Sequence, residues 1–210
     1  DAEVFLAKCP MFCFQRPGRF RRFAQKFDGY SGQEAVGYTR SAANTGHVHV
    51  ALVRQGDSRI DFESFATTLV HEGTHAFIHR LHASTLIPHW VNEGYAEMIA
   101  ERVLGERSHT GETARLLARQ YVRENRPIAA LLQSTGPIAV HEYPLAHSVV
   151  SYLATRDEAG LVDFIRNLKE GKTTSEALAE TFDGLTIAQL ETDWRDHVRR
   201  ADPASMAHSE

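Results

Sequence analysis

The sequence has few cysteines, no long apolar run and no excess of positive charge. Two cysteines among 210 residues argue against a disulfide-built scaffold and against a zinc site made of cysteine pairs. No stretch approaches the roughly 18 apolar residues of a membrane-spanning helix. The formal net charge of −4 at pH 7 gives no overall attraction to nucleic acid or to anionic membranes. We therefore expect neither a nucleic-acid partner nor a membrane span.

The remaining composition is typical of a folded globular protein with a sizeable core. Hydrophobic residues make up 42% of the chain and charged residues 24%. The unusual number is 12 histidines, which leaves a histidine-built metal site open. Cys9 and Cys13 lack the C-x2-C spacing of zinc knuckles, and we interpret them as apolar strand residues. The chain starts at Asp1 rather than Met, which suggests that any export signal has been removed and leaves the compartment open.

The pattern of apolar residues predicts an α+β fold with a mixed first part and a helical second part. Strands are predicted at residues 4–14, 35–40 and 47–54, with a helix around Phe20, Phe23 and Phe27. A long helix over about residues 61–82 precedes a second at 90–104, and further helices are predicted at 112–125, 145–156, 160–169, 174–182 and 186–200. We interpret residues 1–200 as one domain, with a mixed lobe at 1–88 and a helical lobe at 89–200, followed by a polar tail at 201–210.

The long helix carries the sequence H-E-x-x-H, formed by His71, Glu72 and His75. Positions four apart leave the same face of a helix, so both imidazoles can bind one Zn²⁺. Glu72, one position along, can reach a water on the metal and act as general base. The alternative is a surface helix with two solvated histidines. Apolar residues on both sides of the motif favour a buried or cleft position, and Gly73 suggests a packing or access reason for a small residue.

A catalytic zinc needs a third protein ligand, and the second predicted helix offers one. The metzincin pattern requires a histidine where this chain has Leu81. Glu93 follows His75 by 18 positions, and a helix, a reversal and a second helix would bring its carboxylate beside the two histidines. Glu97, one turn on, could accept the Nδ1–H of a ligating histidine. The alternative interpretation of the two glutamates is a solvated acidic pair.

The block W-V-N-E-G-Y-A at residues 90–96, together with H-E-x-x-H and a spacer of 17 residues, resembles the gluzincin zinc metallopeptidases. Over residues 45–155 the chain is similar to the smaller peptidase MA-like domains. This resemblance implies a zincin-like fold, one Zn²⁺ ion, and a peptide or protein substrate. It also implies the ligands His71, His75 and Glu93, with Glu72 as the catalytic base. The G-x-M-x-N motif of gluzincin aminopeptidases is absent, which puts an aminopeptidase specificity in doubt.

Peptide hydrolysis also needs a donor for the oxyanion that develops on the substrate. The resemblance points to a Tyr or His in the helical part, where Tyr143 and His147 are the candidates and Tyr143 is preferred. A peptide could pair with an exposed edge strand, for which residues 47–53 are the best candidate. On that strand, His49 either faces the cleft or has no role in the site. Other substrate-binding residues are not indicated by the sequence.

Two classes of function fit these patterns. The first is a zinc-dependent metallohydrolase, specifically a gluzincin-type peptidase. The second is a binding or interaction module that keeps the fold and the metal but lacks turnover. A nucleic-acid binder that uses the basic residues of 16–26 is disfavoured by the net acidic charge.

Overall fold

The computed structural model describes residues 8–31, 35–42, 47–81, 85–105 and 108–201, with residue 42 described by its backbone only. Outside these residues lie 4–7 of the first predicted strand segment, 82 at the end of the predicted long helix, 84 at the start of the reversal predicted for 84–88, and 202–210 of the predicted tail. Contacts along the chain group it into two compact units. The first consists of Asp1–Ser84 and Ile99–Ser108, and the second of Thr85–Met98 and His109–Glu210. The organisation of residues 1–200 as one domain stays a prediction.

The first unit is built on a three-stranded sheet. Its strands are β1 (Met11–Phe14), β2 (Gly37–Ala42) and β3 (His47–Val53), in the order β1-β3-β2. Because β3 pairs in parallel with β1 and antiparallel with β2, it is the central strand of the described sheet. The prediction that residues 47–53 form an exposed edge strand is therefore wrong. The alternation of residues along a strand indicates its faces but not its neighbours, which are set by long-range pairing.

One face of the sheet packs against α2, the helix Arg59–Arg80 that contains the H-E-x-x-H sequence. Leu52 of β3 lies in a core cluster with Ala76 of this helix. The helix starts at a capping box: the Ser58 hydroxyl accepts a hydrogen bond from the Asp61 N–H, and the Asp61 carboxylate accepts one from the Ser58 N–H. This cap satisfies N–H groups at the start of the helix and fixes its first turn. The H-E-x-x-H sequence lies further along the same helix.

The opposite face packs against α1, the helix Pro17–Asp28. Phe20 of this helix lies in a second core cluster with Ala51 of β3. Since side chains alternate between the faces of a strand, His49 lies on this side of the sheet too. Its Nε2 atom is 3.0 Å from Asp28 Oδ2. His49 therefore does not face the H-E-x-x-H helix, and of its two sequence interpretations the structure favours the one without a role in the site.

The second unit is helical. Its first helical segment is residues 89–98 of α3 (His89–Leu104), whose remaining residues belong to the first unit. The helices that follow are α4 (Thr110–Arg123), α5 (Ala129–Leu132), α6 (Tyr143–Arg156), α7 (Glu158–Lys169), α8 (Thr174–Thr181) and α9 (Ile187–Arg200), with a 3₁₀ turn at Val140–Glu142. α6 packs against α4, α7 and α9, and the indole rings of Trp90 and Trp194 are fully buried. Short α5 has no counterpart among the predicted helices.

Lys169, the last residue of α7, is a buried charge. The side chain is 1% exposed, and its Nζ donates a hydrogen bond to the main-chain oxygen of Thr85 at 2.7 Å. Burial lowers the pKa of the Lys169 ammonium group, because the charged form loses its hydration. The contact ties the end of α7 to the segment that leads into α3.

The α+β class predicted from the sequence is confirmed by the three-stranded sheet and the helices around and after it. Both cysteines are free thiols; Cys13 lies on β1 with its side chain exposed, whereas Cys9 precedes the strand. Among the described helices, none is both long and apolar enough to cross a membrane.

Candidate metal centre

The two histidines of α2 bring their outer ring nitrogens together. His71 Nε2 and His75 Nε2 are 3.0 Å apart, and the two rings stand at 89° to each other. Two nitrogen ligands at about 2.0–2.1 Å from a tetrahedral zinc ion are separated by roughly 3.3 Å. The 3.0 Å distance between the two Nε2 atoms is therefore close to the spacing that a shared zinc ion requires. His75 is buried and His71 is half-buried, which agrees with the predicted buried or cleft position and not with the alternative of two solvated histidines.

Glu93 of α3 completes a group that could hold a metal ion. His71, His75 and Glu93 each offer one ligand atom, and these atoms all lie within 4.8 Å of one another. Glu93 is only 5% exposed, and a carboxylate buried to this extent needs a cation or hydrogen-bond donors close by. Two imidazoles and one carboxylate are the donor set of several catalytic zinc sites. The residues present thus fit a zinc ion in number and chemical type.

The carboxylate of Glu72 is held by a residue that the sequence analysis did not identify. Thr39 on β2 places its hydroxyl 2.9 Å from Glu72 Oε2 and 2.7 Å from the main-chain oxygen of Glu72. A hydroxyl has one hydrogen, so it is donated to one of these acceptors at a time or shared between them. The residues are 33 positions apart, and no local pattern in the sequence connects them.

Gly37, two positions before Thr39, permits this close approach of β2 to α2. A Cβ atom at Gly37 would lie 2.6 Å from Thr68 Cγ2, 2.7 Å from Leu52 Cδ2 and 3.3 Å from Glu72 Cγ. Real Cβ atoms do not come within 3.0 Å of such neighbours, so a larger residue would displace the side chains beside Glu72. The glycine therefore serves the site through its small size.

Glu93 also has a neighbour that the sequence analysis missed. His89, the first residue of α3, places its Nε2 atom 3.3 Å from Glu93 Oε1. The other ring nitrogen of His89, Nδ1, accepts a hydrogen bond from the Ile138 N–H at 3.3 Å. The sequence did indicate the contact between His89 and Glu93, because residues four positions apart share a helix face.

The glycine that follows Glu93 lies where two helices meet. A Cβ atom at Gly94 would lie 2.5 Å from the main-chain oxygen of Ala146 on α6. A backbone oxygen cannot turn aside as a flexible side chain can, so only glycine fits here. At Gly73 a Cβ atom would lie 3.8 Å from Met11 Cε, an ordinary contact. The packing reason suggested for Gly73 is therefore not found among the described residues.

The remaining predicted residues lie at different depths in α3 and α6. Tyr143 is half-buried at the start of α6, with its ring centroid 6.1 Å from that of His89. His147, one turn later, is 1% exposed. Glu97 is half-buried one turn after Glu93. Tyr143 thus lies beside His89, the residue that contacts Glu93. The roles predicted for Tyr143, His147 and Glu97 stay predictions.

Comparison with protein-family models identifies a family that matches most of the chain. The family model described as Peptidase MA superfamily matches residues 39–200, a stretch that begins at Thr39 and includes all the residues of the metal group. The comparisons with curated proteins and with solved structures gave no match. The family match confirms the resemblance to a peptidase MA-like domain and, with the α+β architecture, the zincin-like fold.

Proposed function

Because the chain belongs to the peptidase MA superfamily, we propose that it is a zinc-dependent peptidase that hydrolyses peptide bonds with Glu72 as general base. The observation that carries this proposal is the group formed by His71, His75 and Glu93, on the helix that also presents Glu72. In this proposal the three residues hold one zinc ion. When bound, zinc supplies polarisation of the scissile carbonyl and a lower pKa for the attacking water.

The proton transfers fall to Glu72. Its carboxylate takes a proton from the attacking water as the water oxygen bonds to the carbonyl carbon. It then delivers that proton to the amine nitrogen as the C–N bond breaks, so the carboxylate is restored. The hydroxyl of Thr39, 2.9 Å from Oε2, limits the rotation of the Glu72 side chain during both transfers.

A donor to the substrate oxyanion would complete the site. We propose Tyr143 for this role, since its side chain is half-buried at a helix start while the His147 side chain is 99% buried one turn deeper. Glu97 remains the proposed acceptor for the Nδ1–H of a ligating histidine.

The peptide itself would be bound in an extended form. β2 is an edge strand of the described sheet, and it carries Thr39 next to Glu72. An edge strand offers main-chain donors and acceptors to an added strand. This arrangement supports a peptide substrate more directly than β3, which has partners on both sides.

The test combines metal analysis with hydrolysis of a diverse peptide library. We expect the wild type to bind one equivalent of zinc and to cleave peptides in a manner that a chelator stops. Glu72→Gln should keep the zinc and lose cleavage, and His75→Ala should lose both. Glu63→Gln, on the same helix but paired with Arg59, is the matched control and should retain both.

Full activity of Glu72→Gln would overturn the mechanism. A wild type that binds zinc but cleaves nothing in the library would instead favour the binding module.

A further inference from the structure

His89 is held by contacts on both nitrogens of its ring. Nδ1 accepts a hydrogen bond from the Ile138 N–H, and Nε2 lies 3.3 Å from Oε1 of Glu93. Its side chain is 31% exposed, whereas that of Glu93 is 7% exposed, so water scarcely reaches the carboxylate beside the histidine. All three residues belong to the second unit.

The contact with Ile138 decides which ring nitrogen carries the hydrogen. A main-chain N–H can only donate, so Nδ1 of His89 must present its lone pair. A neutral imidazole with a lone pair on Nδ1 carries its hydrogen on Nε2. The Nε2 atom that carries this hydrogen lies 3.3 Å from Glu93 Oε1, which can only accept. The geometry assigns the Nε2–H tautomer to His89.

We propose that His89 is a positioning residue for Glu93 and that its Nε2–H orients the carboxylate for metal binding. The inference rests on the proposed function, because it takes Glu93 as a ligand. A carboxylate on a flexible side chain loses rotational freedom when it binds a metal. A donor that already fixes its plane removes part of that loss, as do the hydrogen bonds that orient ligands in other metal sites.

Three substitutions separate this role from simple packing. His89→Phe keeps an aromatic ring of similar size but removes both nitrogens. His89→Gln keeps a donor and an acceptor on one side chain. His109→Phe makes the same chemical change at an exposed histidine of the second unit and serves as the control.

The readout is zinc affinity, measured by competition with a chromophoric chelator, together with the visible spectrum of the cobalt-loaded proteins. We expect His89→Phe to weaken zinc binding by about 10- to 100-fold and to shift the cobalt bands. His89→Gln should recover most of the affinity, and His109→Phe should match the wild type. Neither measurement depends on peptidase activity.

A second measurement does not depend on whether His89→Phe folds. Long-range ¹H–¹⁵N NMR of the metal-free wild type, above the usual pKa of histidine, distinguishes the two imidazole tautomers. The spectrum of His89→Gln identifies the resonance. We expect the Nε2–H form, and an Nδ1–H form would overturn the proposal.

Equal zinc affinity and unchanged cobalt bands in His89→Phe would also overturn it, while leaving the proposed function intact. A wild type that binds no zinc would remove both the proposed function and this inference.

Discussion

The hydroxyl of Thr39 lies 2.9 Å from Oε2 of Glu72 and links the edge strand β2 to the middle of α2. The same hydroxyl lies 2.7 Å from the main-chain oxygen of Glu72. One side chain thus contacts both the carboxylate and the helix backbone that carries it. The position of the proposed base is therefore set by the sheet as well as by its own helix.

Replacing Thr39 by Val should lower kcat by roughly 10- to 100-fold, because Glu72 would sample orientations in which proton transfer is not aligned. Zinc stoichiometry should not change, since Thr39 does not belong to the metal group. Steady-state kinetics on a cleaved peptide provide the measurement. Thr39→Ser, which retains the hydroxyl, is the control and should keep most of the rate; equal rates for Val and wild type would contradict the proposed role of Thr39.

Gly94→Ala should destabilise the protein by about 1–3 kcal/mol, because the new methyl group would overlap the Ala146 oxygen and push α3 away from α6. Gly73→Ala is the matched control, on a helix where the new Cβ atom would make only an ordinary contact of 3.8 Å with Met11 Cε. It should be neutral or stabilise by up to about 1 kcal/mol, since alanine favours the helix. Urea unfolding of both variants measures the difference, and similar stabilities would refute the packing argument.

Zinc should raise the thermal stability of the wild type. Free zinc at about 100 times its dissociation constant stabilises a folded protein by about 2.7 kcal/mol, which for this chain length corresponds to roughly 5–10 °C in Tm. His75→Ala should show no such rise, whereas His109→Ala, at an exposed position, should show the full rise. Differential scanning calorimetry with and without zinc tests this, and an equal rise in His75→Ala would place the metal elsewhere.

The buried Lys169 should make stability depend on pH in the alkaline range. Its pKa in the folded state is lowered from the ordinary value of 10.5 by burial. Between the lowered and the ordinary pKa, the unfolded chain binds a proton that the folded chain has lost, so the free energy of unfolding rises with pH. Lys169→Met should lack this contribution. Chemical unfolding of both proteins from neutral pH to about 10 provides the comparison, and parallel curves would contradict the prediction.

The sequence was sufficient for features that depend on residues close together in the chain. The spacing of His71 and His75 predicted two imidazoles on one helix face, and their ring nitrogens lie 3.0 Å apart. The second helix and its Glu93 followed from the block around Trp90, and the observed α3, His89–Leu104, agrees with the predicted 90–104 within one residue. These features are local because helix periodicity repeats every few residues.

The features that the sequence did not predict depend on pairing between distant segments. Residues 47–53 are predicted at an edge because they come just before the H-E-x-x-H helix, yet β1 pairs with β3 from far back in the chain. The contact of Thr39 with Glu72 can be predicted only if it is already known that β2 packs against α2. Ile138 and His89 are 49 positions apart, and their hydrogen bond depends on how a loop returns to the start of α3.

The alternation of β2 also limits how the chain can change in length. Gly37 and Thr39 lie on the α2 side of the sheet, while Tyr38 between them lies in the core cluster on the α1 side. An insertion or deletion of one residue within this strand would exchange the two sides and turn the hydroxyl away from Glu72. Changes in chain length compatible with the site are therefore confined to the connections outside β2.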